Sequence, residues 1–119
     1  MAGSGSSRGA MGERMGAEYL SQMGWRVLER NVRYPFGEID IVAQDGSELV
    51  FVEVRLRRSN PFQEAADTVG PRKIRRLEMA ARAFAESRGF RGSYRIDLLA
   101  IDEGPSGFRF ELYRDITGG

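Results

Sequence analysis

The sequence contains no cysteine and no histidine. Without cysteine there is no disulfide framework, no thiolate metal site and no thiol nucleophile. Without histidine the commonest general base and every imidazole ligand are gone. A Ser-His-Asp triad and an ordinary zinc site cannot be built. Long apolar runs are absent too. The longest stretch is Leu49 to Val54, and Glu53 interrupts it. A spanning helix needs about 20 apolar residues, so no membrane association is expected. The first ten residues, MAGSGSSRGA, lack the apolar segment of a secretory signal, and a cytoplasmic location is expected. Lysine is nearly missing: among 18 basic residues the one lysine is Lys73. Catalysis would therefore rest on carboxylates, Arg, Lys73, Ser, Thr or Tyr. A metal would be a hard, oxygen-liking ion such as Mg²⁺ or Mn²⁺.

What is present is 119 residues with a net charge of +1, 41% hydrophobic and 29% charged. That suits one ordinary globular domain, expected over residues 11–117 behind a disordered tail over 1–10. The arginine excess favours bidentate phosphate or carboxylate contacts, although GC-rich coding produces the same bias.

Met15, Tyr19, Leu20 and Met23 recur at helical spacing, which predicts a first helix over Met11 to Met23. Strands are expected at Trp25 to Tyr34, Glu38 to Ala43 and Leu49 to Arg57. A turn separates the first two at Pro35-Phe36-Gly37. Gln44-Asp45-Gly46-Ser47 carries an Asp-Gly hairpin signal. Ser59 to Gly70 reads as a loop with a short helical turn near Glu64 to Asp67. Pro71 opens a second helix with an apolar stripe of Ile74, Leu77, Ala81, Phe84 and Ala85. Tyr94 to Asp102 and Phe108 to Tyr113 complete an α-β-β-β-α-β-β order. Three meandering strands, then a crossover through a helix, give an α/β fold with a mixed sheet flanked by helices.

The informative stretch is GEIDIVAQDGSELVFVEVRLRR, Gly37 to Arg58. Asp40 and Glu53 stand in the middle of two apolar strands. With a hairpin loop of two or four residues they share a sheet face, directly opposed for the four-residue loop. A slip of one residue would separate them. Two adjacent carboxylates need a cation. An internal ion-pair cluster with Arg55 or Arg57 would satisfy them. So would a divalent metal that cleaves phosphodiesters, with the Val54 carbonyl as a further ligand. Glu13 lies on the inward edge of the first helix, one turn before Gly16, which permits close approach to another element. It is a third candidate ligand, or a carboxylate favoured by the helix N-terminus. Arg57, Arg58, Arg72, Lys73, Arg75 and Arg76 form a basic group suited to phosphates, or a solvated face. Arg95 and Asp97 share a strand face and read as a structural ion pair.

The segments GERMGAEYL, GWRVLERNVRY, GEIDIVAQDG, LVFVEVRLRR and VGPRKIRRL, in that order, resemble the YraN family (UPF0102). The resemblance covers about Met11 to Asp102. It implies a likeness to Holliday-junction resolvases and to the PD-(D/E)xK nuclease superfamily. The fold implied is restriction-endonuclease-like, with an α-β-β-β-α-β core. Carried over, Asp40 is the motif aspartate, Glu53 the motif glutamate and Glu13 the helix-borne carboxylate, while Glu38 belongs to the G-E-I-D signature. The family reads E-V-K where this chain has Glu53-Val54-Arg55. Arginine is not deprotonated in proteins, so either the site is degenerate or Lys73 supplies the ammonium. The expectation is a Mg²⁺- or Mn²⁺-dependent endonuclease acting on DNA, including branched DNA. Its catalytic set would be Glu13, Asp40, Glu53, Arg55 and Lys73. The alternatives are a nucleic-acid-binding protein with an inactive site, and an interaction module with a structural acidic cluster. Likeness to dimeric resolvases implies a homodimer.

Overall fold

The computed structural model describes residues 4–60 and 63–118. Helix α1 (Ser4–Gln22) leads into β1 (Arg26–Tyr34), β2 (Gly37–Asp45) and β3 (Glu48–Arg58). A short 3-10 turn (Ala65–Thr68) precedes α2 (Pro71–Ser87), followed by β4 (Tyr94–Gly104) and β5 (Gly107–Tyr113). The sheet order is β1-β2-β3-β4-β5. Strands β1, β2 and β3 pair antiparallel, β3 and β4 parallel, and β4 and β5 antiparallel. The expected mixed α/β sheet flanked by helices is therefore present. It is compatible with a restriction-endonuclease-like fold.

Strand β3 is central because its β-branched and aromatic side chains can be covered on both faces. On one face Val50 and Val52 pack with Ile41, Leu99, Ile101 and, from α1, Leu20. On the other, Phe51 packs with Val42, Ile96 and, from α2, Leu77, Ala81 and Phe84. The Phe51 ring meets Phe84 edge-on at 5.7 Å. Gly16 allows the close approach of α1: a Cβ there would lie 3.2 Å from Leu99 and 3.3 Å from Ile41 and Val54.

Two boundaries differ from expectation. The helix expected from Met11 starts at Ser4, within the stretch expected as a tail; residues 1–3 of that tail lie outside the described residues. Gly and Ser are poor helix formers, but Arg8 Nη2 pairs with Glu103 Oε1 at 2.7 Å and ties this end to the sheet. The β2–β3 loop holds two residues, Gly46 and Ser47, the shorter of the two expected lengths. Gly46 takes φ +63°, a conformation suited to a tight hairpin. Asp45 pairs with Glu48 and the register continues to Ile41 with Val52. Asp40 and Glu53 come next, so it is the two-residue loop that brings them opposite each other.

Asp97 is fully buried and forms the expected structural pair. It accepts from Arg95 Nε at 3.0 Å and from the Asp115 backbone N–H at 2.9 Å. Arg95 also donates to Glu48 at 2.6 Å.

Candidate active site

The site begins where the sheet stops pairing. Regular pairing of β2 with β3 ends at Ile41 and Val52. On the other side of β2, Asn31 adopts φ +57° between the pairs Arg30–Ile41 and Val32–Ile39. This left-handed residue sits opposite Asp40. Past it, the Val54 N–H is bonded not by a backbone carbonyl but by Asp40 Oδ2, at 2.8 Å. The N–H and C=O of one strand residue point to the same neighbour. The Val54 carbonyl therefore faces the same gap as the Asp40 carboxyl.

Glu53 is 4% exposed and lies beside the Asp40 carboxyl, whose charge acts on it. Two cations meet its Oε2: Arg55 Nη2 at 3.3 Å and Lys73 Nζ at 3.6 Å. Lys73 comes from the first turn of α2, 20 residues further along the chain. In a plain ion-pair cluster the cations would hold carboxyl pKa values down. Here burial wins. It pushes Glu53 up to about 7, with the Asp40 charge adding to the rise and Lys73 and Arg55 opposing it. Burial raises Asp40 as well, against the hydrogen bond from Val54. Both carboxyls are thus raised by burial against the cations beside them, a perturbation typical of functional sites.

Glu13 lines a cavity of about 190 Å³ with Gly12, Asp40, Val54 and Arg55. Its carboxylate accepts from Arg30 Nε at 3.1 Å. Glu53 is not part of that cavity's lining. Among the described residues no three acidic side chains converge into a ready metal cage. The donors that fit a hard divalent ion are Asp40, Glu53 and the Val54 carbonyl, with water completing the shell as Mg²⁺ prefers. Arg55 Nε is buried without a hydrogen-bond partner. A buried donor of this kind calls for an acceptor.

The basic residues divide. Arg57 is held by Asp102 at 2.9 Å, its register partner on β4. Arg58, Arg72, Arg75 and Arg76 are exposed and make no ion pair among the described residues. Arg30 was not singled out by sequence reasoning. Its pairing with Glu13 spans 17 positions, and nothing distinguishes it locally from its neighbours Arg26 and Arg33.

The description "Uncharacterised protein family UPF0102" belongs to a family model that matches residues 12–101. A UPF0102 protein of Syntrophus aciditrophicus is 42% identical over 109 residues, covering 90% of this chain and 85% of its own. One from Moorella thermoacetica is 47% identical over 95 residues, covering 79% of each. One from Dehalococcoides mccartyi is 39% identical over 111 residues, covering 92% of each.

Proposed function

The chain belongs to the uncharacterised protein family UPF0102, and we propose that it is a metal-dependent endonuclease acting on DNA, branched DNA included. The observation that carries this reading is the buried Asp40–Glu53 pair in the gap between β2 and β3. Two cations stand on Glu53, and Arg72, Arg75 and Arg76, which make no ion pair among the described residues, share α2 with Lys73. Asp40, Glu53 and the Val54 carbonyl would hold Mg²⁺ or Mn²⁺. Such an ion polarises a phosphodiester and acidifies bound water.

The protein's own groups do the rest. Lys73, from α2, stands where an ammonium can meet both Glu53 and a bound phosphate. A lysine adjusts its pKa when buried, whereas a guanidinium stays charged. Arg55 is accordingly a charge stabiliser, its unpartnered Nε directed to a phosphate oxygen. Arg72, Arg75, Arg76 and Arg58 bind neighbouring phosphates and position the strand. Glu13, held by Arg30, adds a third carboxylate beside Asp40.

Calorimetry with Mn²⁺ tests the metal site. Wild type should bind one ion, and Asp40→Ala and Glu53→Ala should weaken it at least tenfold. Equal affinity in all three would remove the metal from the reading. Incubation with linear, flapped and four-way DNA in Mg²⁺ tests cleavage. Tight binding without cutting would instead favour the degenerate site to which Arg55 points.

A further inference from the structure

Beside Lys73 lies a second cavity of about 400 Å³. Its walls are the β1–β2 turn and the first turns of α2, with Tyr34, Phe36, Glu38, Lys73, Arg76 and Leu77 among the lining residues. Tyr34 and Phe36 stack at 5.3 Å, nearly parallel. Phe36 is nonetheless 38% exposed, an unusual position for a large aromatic ring at a turn tip. The turn is firmly seated, because Gly37 packs so closely on α2 that a Cβ would lie 2.8 Å from the Arg76 carbonyl oxygen. A rigid aromatic ledge, two cations and one carboxylate thus surround a space large enough for a small ligand. Lys73 belongs both to this cavity and to the carboxylate pair.

We infer that this cavity receives one unpaired nucleotide of the DNA adjoining the phosphate held at Asp40 and Glu53. The inference rests on the DNA-cleavage reading above and deepens it by naming the substrate class: DNA with an unstacked base beside the scissile bond. Each wall has a role in the chemistry of a nucleotide. The exposed face of Phe36, backed by Tyr34, stacks on the base, as every base has a π-face. Arg76 and Lys73 meet the flanking phosphates. The Glu38 carboxylate accepts from the N–H donors of a base edge, which gives the signature residue Glu38 a function distinct from metal binding. A base inside a duplex cannot enter such a cavity without unstacking. The site therefore selects junctions, flaps and bulges over paired DNA.

The test compares wild-type binding, by fluorescence anisotropy in EDTA, to three duplexes: fully paired, with a one-nucleotide bulge, and with the same bulge made abasic. The bulge carrying a base should bind about tenfold tighter than the abasic one, in line with aromatic stacking on a single base. Phe36→Ala should bring the two bulged DNAs to equal affinity, and Phe36→Trp should restore the difference. Equal wild-type affinity for the base-bearing and abasic bulges would overturn the inference, whatever the variants do. A tenfold difference that survives Phe36→Ala would overturn it too. Failure to bind any of the three duplexes would instead overturn the DNA-cleavage reading itself, and this inference with it.

Discussion

The burial of Asp40 and Glu53 makes stability depend on pH in a direction opposite to that of ordinary acid denaturation. Glu53 rises from 4.5 in the unfolded chain to about 7 in the folded one. The folded protein therefore binds more protons than the unfolded chain between these values, and unfolding free energy falls as pH rises. The contribution is fully present below pH 4.5 and is lost as pH passes through about 7. A shift of this size corresponds to about 3 kcal/mol, or a fall in melting temperature on the order of 10 °C for a domain of this length. Asp40 shifts in the same direction. The protein contains no histidine, so no other side chain ordinarily titrates between pH 5.5 and 7.5, and the slope can be assigned. Urea unfolding in EDTA at half-unit steps from pH 5 to 8 should show stability declining through this window. Glu53→Gln, which mimics the protonated acid, should flatten the decline. Adding Mn²⁺ should stabilise the wild type more at pH 8 than at pH 5, because the ion binds the deprotonated pair. Stability that is level or rising across the window in EDTA, or a Glu53→Gln slope equal to wild type, would refute the reasoning.

Lys73→Ala should abolish Mg²⁺-dependent cleavage of a branched substrate, while Arg55→Lys changes the rate less than threefold; cleavage surviving both Lys73→Ala and Arg55→Ala would remove both cations from the mechanism. Arg72→Ala with Arg76→Ala should weaken DNA binding and lower the slope of log affinity against log salt by about 2, close to one unit per lost phosphate contact. Fluorescence titrations at four salt concentrations measure that slope, and an unchanged value would place the DNA elsewhere. Gly16→Val should cost about 2 kcal/mol by overpacking, because the new side chain meets Leu99, Ile41 and Val54; chemical denaturation gives the value, and a loss below 0.5 kcal/mol would mean that α1 can shift away.

The elements were legible in the chain because their signals are local. Alternation and β-branching marked β3, Pro71 opened α2, and the glycine of the Asp-Gly pair turned the hairpin. The same parity argument that put Asp40 and Glu53 on one face holds in the structure, although a two-residue loop, not a four-residue one, sets them opposite each other. What was not legible depends on pairings across the fold. Nothing near Arg57 announces that Asp102 neutralises it, because that contact exists only once β4 has returned alongside β3. The helical start at Ser4 is of the same kind, since Arg8 gains Glu103 only after the sheet is complete.

Two buried acidic positions show why residue type alone does not reveal a site. Asp97 and Glu53 both sit in central strands, each with an arginine two residues away in sequence. Asp97 is surrounded by donors: Arg95 approaches it through Nε, and the Asp115 N–H completes its shell. Such a carboxylate is satisfied and has no need of a ligand. Glu53 faces a second carboxyl instead, and its own arginine leaves Nε without an acceptor. Arg55 and Lys73 both bear on Glu53 Oε2, yet burial still raises both carboxyls and Arg55 Nε stays without an acceptor; a metal ion with a phosphate, as proposed above, would answer both. The structural difference is set by β2: beside Asp97 the ladder of β3 is intact, whereas beside Glu53 it ends and Asp40 takes the place of a backbone acceptor. The end of β2–β3 pairing at Ile41 and Val52 is therefore part of the site although it carries none of its chemistry, because a backbone acceptor from β2 at the Val54 N–H would leave no place there for the Asp40 carboxyl.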